Sequence, residues 1–184
     1  MSAATESQTR GGLGSMLDDL VQLTKPGILT LSVLMAALGI WLAPTTVPAT
    51  TVWLALLGTG LLVGSANALN MVLERDLDGL MARTKNRPLP AGRMRPGLAL
   101  AWGASLGLLG TAVLWTRVNG LTASLGVLSL ANYVMVYTPM KRRTPLALQV
   151  GAVSGAMPPL MGWTTVNDTL DAPGLWLFAV LFVW

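Results

Sequence analysis

Long apolar stretches without a charged residue alternate along the chain with short charged segments. No charge lies between Lys25 and Glu74, and four later stretches are also uncharged: 96–116, 118–140, 144–167 and 172–184. Each internal stretch can hold about 20 apolar residues, enough to cross a hydrocarbon core of roughly 30 Å. Divided at Pro and Gly, the stretches predict an all-α, polytopic transmembrane helical bundle. Its spans are predicted at 26–43, 51–73, 97–116, 120–138 and 146–163.

A sixth apolar stretch begins at Gly174 and reaches Trp184, the last residue of the sequence. As helix, the eleven residues of this stretch rise about 16 Å, roughly half a bilayer. We therefore expect the chain to be truncated within a sixth helix. Segment 1–20 is polar and rich in small residues, and we predict it to be an N-terminal cytoplasmic tail. Residues 21–184 are predicted to form one transmembrane domain.

The composition excludes a water-soluble domain. Charged residues make up 11% of the chain and hydrophobic residues 53%, whereas a soluble domain carries about 25% charged residues. The chain has no Cys and no His, which excludes thiolate and imidazole chemistry. Any reaction must therefore use carboxylates, amides, hydroxyls, Tyr, Lys, Arg or a bound metal.

The basic residues predict an orientation in the membrane. Eleven of the twelve Lys and Arg residues precede the first span or follow the second and fourth spans, and Arg117 is the exception. Because cytoplasmic loops carry an excess of Lys and Arg, we predict that the N-terminus and the loops 74–95 and 140–145 are cytoplasmic. We attribute the net charge of +4 to this topology and expect no nucleic-acid partner.

Small residues recur at a spacing that lets helix backbones approach closely in lipid. These pairs indicate a compact helical bundle and are not specific to any one function. They are Gly60 with Gly64, Gly103 with Gly107, and Gly151 with Gly155.

The first candidate for chemistry is a set of polar residues at the end of the second span. Asn70, Glu74 and Asp78 are spaced i, i+4, i+8, so a helix continuing out of the span would place all three on one face. Like charges at this spacing destabilise a helix by a few tenths of a kcal/mol. A cation between them relieves that repulsion, and ligands that are all oxygen suit Mg²⁺ or Mn²⁺.

Three basic residues follow this set, namely Arg83, Lys85 and Arg87, before Pro88 and Pro90 end any helix. A carboxylate pair that binds metal, followed closely by cations, suits a diphosphate, because the metal bridges phosphate oxygens while Arg and Lys contact the rest. The alternative is a basic cytoplasmic loop with solvated ion pairs that contribute little.

A second candidate patch follows the fourth span. Tyr137 and Lys141 are spaced i, i+4 and lie at the same predicted membrane face as Glu74 and Asp78. A role in the site and a role as membrane anchors are equally consistent with this pair. Tyr133, Arg142 and Arg143 are more typical of an aromatic belt and a topology-setting anchor.

Four segments of the sequence resemble the intramembrane aromatic prenyltransferases of the UbiA type, and within that superfamily the branch that farnesylates haem. The resemblance extends from about residue 20 to residue 184. It rests on the Asn70–Glu74–Asp78 spacing together with TKPG at 24–27, RTKNRPLPAG at 83–92, VYTPMKRRTP at 136–145 and GAMPPLMGW at 155–163.

The resemblance implies nine helices around a central cavity and two acidic motifs that hold Mg²⁺ and a prenyl diphosphate. Asn70, Glu74 and Asp78 occupy the first motif as metal-binding and catalytic residues. The family often has Asp in place of Glu74, and many members that act on quinone precursors have a second Asp where this chain has Met71. The second acidic motif and the His-bearing segment of the family would lie beyond Trp184.

The resemblance also implies a reaction, in which a farnesyl group passes from farnesyl diphosphate to a vinyl group of haem b. Tyr137 would orient the substrate or face the allylic cation. The implied partners are farnesyl diphosphate, haem b, the lipid bilayer of a bacterial inner membrane, and haem A synthase or terminal oxidase assembly proteins. The residues implied to bind the diphosphate are Arg83, Lys85, Arg87, Lys141 and, more weakly, Lys25.

Three alternatives stay open on the sequence. The acceptor could be a quinone-type or chlorophyll-type molecule, and the protein could be a membrane transporter or scaffold. The almost uncharged spans, with charged residues gathered at one face, favour a site at one membrane surface over a transport path. Finally, the 184-residue chain could be inactive by itself.

Overall fold

The computed structural model describes residues 12–184, so residues 1–11 of the predicted tail lie outside the described residues. Residues 12–184 contain helices and no β-strand, which confirms the predicted all-α class. Helix α1 includes residues 13–20, which were expected to belong to the tail. In chain order the helices are α1 (Leu13–Leu23), α2 (Pro26–Leu42), α3 (Ala49–Leu80), α4 (Pro96–Arg117), α5 (Gly120–Met140), α6 (Ala147–Asn167) and α7 (Ala172–Val183).

Each predicted span coincides with one of these helices. Helices α3, α4 and α5 are long and apolar enough to cross a membrane, and α1 with α2, bent by 52° at their junction, forms a fourth candidate. Helix α6 has a less apolar sequence and is buried over most of its second half. The chain is therefore an integral membrane protein whose helices α2 to α6 pack in a ring, with α7 against α6.

Two close helix crossings hold this ring together. In α4, a Cβ added at Gly103 would lie 2.9 Å from the Leu69 side chain, and one at Gly107 would lie 2.8 Å from Ser65 Oγ, so this predicted pair does lie in a helix interface. The sequence did not indicate the second crossing, where Gly39 of α2 lies against the Pro159 backbone and Gly162 of α6 against the Ala36 backbone.

The other predicted glycine pairs have different surroundings. A Cβ at Gly60 or Gly64 would meet its nearest neighbour at 3.4 Å, and one at Gly155 would meet nothing within 4 Å. A Cβ at Gly151 would lie 2.8 Å from the ring of Tyr137. Tight packing at both glycines is therefore a property of one of the three predicted pairs, Gly103 with Gly107.

The break between α1 and α2 follows from Pro26. A residue before proline is disfavoured in the right-handed helical region, and Lys25 has φ +51° and ψ 73°. Asn67 Nδ2 donates to the Thr24 carbonyl at 2.9 Å and holds the broken chain against α3. Lys25 is thereby placed at the charged end of the bundle, between two helices.

Helix α5 widens into a π-helix over Asn132–Tyr137. Pro139 lacks a backbone donor, and a proline ring in a helix clashes with the carbonyl four residues earlier. A wider turn relieves this clash. The Thr138 hydroxyl donates to the Tyr133 carbonyl at 2.8 Å within this turn.

A first prediction concerns the hairpin between α6 and α7. Asp171 accepts from Trp163 Nε1 at 2.7 Å and caps α7 by accepting from the Gly174 amide at 3.2 Å. Asp171→Ala should lower the free energy of unfolding by about 1–2 kcal/mol, because both contacts are lost. The thermal midpoint in detergent measures this. The control is Asp168→Asn, since Asp168 has φ +49° and Asn tolerates that conformation; equal midpoints for the two variants would contradict the prediction.

Candidate active site

The charged end of α3 carries the predicted acidic set on one buried face. Asn70, Glu74 and Asp78 are only 2%, 5% and 5% exposed. Asp76, by contrast, is exposed and pairs with its neighbour Arg75 at 3.3 Å. Residues spaced by four along this part of α3 therefore face the bundle interior, whereas Asp76 faces outward.

Each of the three buried residues lies against a basic side chain from another segment. Lys25 Nζ donates to Asn70 Oδ1 at 2.9 Å, and Lys141 Nζ donates to the Glu74 carboxylate at 3.0 and 3.3 Å. Arg87 Nη1 donates to Asp78 Oδ2 at 2.7 Å. The structure thus brings together residues that are up to 67 positions apart in sequence.

Lys25 occupies the junction of α1 and α2, outside both helices. Burial and, next, repulsion from Arg87 lower the pKa of Lys25 to about 8, while Glu74 and Asp78 act in the opposite direction. A buried ammonium is costly unless anionic or acceptor groups surround it. Lys25 is half-buried, and Asn70, Glu74 and Asp78 of the same cavity supply such groups.

The loop Met81–Arg95, here called the basic loop, closes one side of this pocket. The Thr84 hydroxyl donates to the Asp78 carbonyl at 2.8 Å, which fixes the start of the loop against the end of α3. Arg83 and Arg87 line the pocket. Lys85 is exposed and is not part of the pocket lining.

The end of α5 supplies the opposite side of the pocket. Lys141 and Arg142 line it, and Arg142 also donates to the Leu73 carbonyl at 3.0 Å. Tyr133 lines the pocket as well. Tyr137 lies against Gly151 and lines neither of the cavities described below. The π-turn accounts for this difference, because it changes the angle between residues that an α-helix would place on one face.

Two cavities meet at Ile28 and Tyr133. The outer one, at the charged end, has a volume of about 480 Å³ and contains the three buried residues of α3. The inner one, within the helix ring, has a volume of about 120 Å³ and is lined mostly by apolar side chains and glycine. The basic residues that line the outer cavity are Lys25, Arg83, Arg87, Lys141 and Arg142.

Sequence reasoning gave little weight to three residues that the structure places at or beside the site. The sequence pattern favours membrane anchors at Tyr133 and Arg142, and it indicates no role for Thr138. The Thr138 hydroxyl accepts from Asn70 Nδ2 at 3.1 Å and so connects α5 to the acidic face of α3. The Thr138-Pro139 dipeptide in an otherwise helical stretch was the available indication of an irregular turn.

The arrangement is suited to a polyanion attached to an apolar chain. Five basic side chains surround two carboxylates, so the outer cavity carries excess positive charge. Among residues 12–184 no group of three or more His, Cys, Asp or Glu forms a self-sufficient metal site. The oxygen set of Asn70, Glu74 and Asp78 fits a hard divalent ion that shares its coordination with water and phosphate.

The helical ring thus carries a charged cavity at one end that opens into an apolar one. The chain belongs to the UbiA prenyltransferase family, whose model matches residues 32–184.

Similar proteins include the Protoheme IX farnesyltransferase of Anaeromyxobacter dehalogenans, 48% identical over 99% of this chain and 62% of the relative. The Protoheme IX farnesyltransferase of Myxococcus xanthus is 47% identical over 100% of this chain and 61% of the relative. The chain thus spans about three fifths of the length of these curated relatives.

Solved structures show the same fold. A Digeranylgeranylglyceryl phosphate synthase superposes with a TM-score of 0.81 at 15% identity, over 91% of this chain and 58% of the other. A UbiA homolog from Aeropyrum pernix K1 gives a TM-score of 0.73 at 23% identity, over 87% and 60%. The likeness confirms the predicted bundle architecture.

Proposed function

We propose that this protein transfers a farnesyl group from farnesyl diphosphate to a vinyl group of protohaem IX, making haem O. The proposal rests on one observation. The outer cavity, which carries basic side chains and carboxylates, meets the apolar inner cavity at Tyr133. The choice of acceptor is supported by the 48% identity to a protein named Protoheme IX farnesyltransferase.

Asn70, Glu74 and Asp78 are the residues we assign to Mg²⁺. They are buried, and they offer only oxygen ligands at one end of one helix. When bound, the ion neutralises charge on the diphosphate. Lys25 donates to Asn70 and lines the same cavity, so we assign it a contact with the diphosphate.

Arg83, Arg87 and Lys141 contact the diphosphate oxygens, where charge develops as the allylic C–O bond breaks. Cations that are already in place beside the leaving group stabilise that charge with little reorganisation. Arg142, which also lines the outer cavity, adds a fifth positive charge. Lys85 lies outside the cavity lining and contributes a longer-range attraction for the anion.

The isoprenoid chain enters the inner cavity, which places its allylic carbon beside Tyr133. We assign to Tyr133 the orienting role that the sequence suggested for Tyr137, because Tyr133 lines both cavities. The diphosphate departs with the C–O electron pair, and the vinyl π-electrons form the new C–C bond. Water then adds to the resulting carbocation and releases a proton. The apolar lining keeps water from the allylic cation before that bond forms.

The concentration of basic residues at this end supports a cytoplasmic orientation in a bacterial inner membrane. A haem product in the membrane would pass to haem A synthase or to terminal oxidase assembly proteins. Protease accessibility of the basic loop in inside-out and right-side-out vesicles tests the orientation. Cleavage in right-side-out vesicles alone would contradict it.

The acceptor is tested by incubating the purified protein with Mg²⁺, labelled farnesyl diphosphate, and either haem b or hydroxybenzoate. We expect label in a hydroxyethylfarnesyl haem and none in the benzoate. Label in the benzoate alone would overturn the haem assignment in favour of a quinone-type acceptor. Label in neither acceptor would overturn farnesyl transfer by this chain.

A further prediction concerns Lys141, which holds the Glu74 carboxylate. Lys141→Met should raise the KM for farnesyl diphosphate by about tenfold or more, since a charge-assisted contact to phosphate is lost. Initial rates at varied farnesyl diphosphate measure this. Arg143→Met is the matched control, because Arg143 is basic, adjacent in sequence and absent from the cavity lining. Equal KM values for the two variants would remove Lys141 from the diphosphate contacts.

A further inference from the structure

An ion pair between a buried carboxylate and an exposed guanidinium connects helix α1 to the basic loop. Asp19 of α1 is 7% exposed, and its carboxylate accepts from Arg93 Nε at 3.1 and 3.3 Å and from Arg93 Nη2 at 2.9 Å. Both nitrogens donate to Oδ1, and Nε also reaches Oδ2, so the guanidinium edge makes charge-assisted contacts with the carboxylate. Among residues 12–184, the other ion pair that reaches this loop is the Arg87–Asp78 contact in the site.

Arg93 also holds the backbone of the basic loop. Its Nη1 donates to the Asn86 carbonyl at 2.9 Å, and Asn86 directly precedes Arg87. The Arg93 and Met94 amides both donate to the Pro88 carbonyl, at 3.0 and 3.2 Å. The Arg93 guanidinium therefore joins α1 to the backbone before Arg87, and the Arg93 backbone amide holds the carbonyl of the residue after Arg87.

Apolar packing already attaches α1 to the bundle. Leu23 is fully buried in a cluster with Met71, Leu89 and Met94, and Leu20 packs against the same cluster. This apolar burial supplies most of the free energy that holds α1 against the bundle, and the Asp19–Arg93 pair adds little to it. The pair also places the Arg93 guanidinium against the Asn86 carbonyl, which belongs to the peptide that leads into Arg87.

From these contacts we propose that Asp19 and Arg93 are positioning residues for the diphosphate site. Helix α1 acts through them to hold the basic loop so that Arg83 and Arg87 face the outer cavity. The inference rests on the proposed function, because the loop is placed for a diphosphate. It extends the site to a helix outside the charged cavity.

The test uses Asp19→Ala, with Asp18→Ala as control, since Asp18 is exposed on the same helix and loses the same charge. Calorimetry with inorganic diphosphate and Mg²⁺ should give a Kd about tenfold higher for Asp19→Ala, as expected for one displaced charge-assisted contact. The KM for the haem acceptor should stay unchanged. Arg93→Met should show the same defect, and the double variant should be no worse than either single one.

Hydrogen exchange of the basic loop provides a second readout that needs no ligand. Asp19→Ala should speed exchange at the Arg87 and Arg93 amides, which donate within the loop, while Asp18→Ala leaves them as in the original protein. Unchanged loop exchange, or a diphosphate Kd within twofold of the original, would overturn the positioning role alone. A defect in kcat with unchanged Kd would also overturn it. Absence of diphosphate binding by the original protein would overturn both this role and the proposed function.

Discussion

Glu74→Gln is expected to reduce farnesyl transfer by at least about a hundredfold while the protein remains folded. The substitution keeps the size of the side chain and removes the buried charge that faces the outer cavity. Lys141 loses its ionic partner, but its side chain is 50% exposed and water can solvate it. Turnover at saturating substrates and the thermal midpoint in detergent are the two measurements.

The matched control for this prediction is Asp76→Asn. Asp76 is on the same helix two residues away, and its side chain is 86% exposed and paired with Arg75. We expect turnover within twofold of the original protein. Equal turnover for Glu74→Gln and Asp76→Asn would show that the buried face of α3 takes no part in the reaction.

Gly162→Ala is expected to destabilise the folded bundle by about 3 kcal/mol or more. A Cβ at Gly162 would overlap the Ala36 carbonyl oxygen and lie 2.9 Å from the Ala36 carbonyl carbon. Backbone cannot move aside as a flexible side chain can, so α2 and α6 would have to separate. Overpacking in a core typically costs about 1–3 kcal/mol of stability. Because the clash here is with backbone, we expect the cost of this substitution to be at the upper end of that range or above it. The fraction of monodisperse protein in detergent measures the effect.

Gly155→Ala provides the control on the same helix, because an added Cβ there meets nothing within 4 Å. We expect its monodisperse fraction and thermal midpoint to match those of the original protein. Normal folding of Gly162→Ala would mean that the α2–α6 crossing is looser than its backbone contacts imply.

The sequence predicted the helices well, because charge-free stretches of membrane-spanning length have few alternative structures. It also predicted the buried face of α3, since Asn70, Glu74 and Asp78 are local neighbours on one regular helix. Their pairing with Lys25, Lys141 and Arg87 depends on how distant segments meet, which spacing alone does not specify.

Two features escaped prediction for identifiable physical reasons. Tyr133 lines the two cavities and Tyr137 does not, in a segment that forms a π-helix where the sequence predicted a regular α-helix. The Gly39–Gly162 crossing joins two helices whose glycines are far apart in sequence, so no local small-residue spacing indicates it.

The central claim is that one end of the bundle holds a metal-dependent diphosphate site that continues into an apolar cavity. Calorimetry with farnesyl thiodiphosphate and with inorganic diphosphate, each with and without Mg²⁺, tests the metal dependence and the contribution of the apolar cavity in one set of measurements. We predict that both ligands require Mg²⁺ and that the farnesyl compound binds about a hundredfold more tightly, because its chain is removed from water. Equal affinities, or binding that is indifferent to Mg²⁺, would contradict the account.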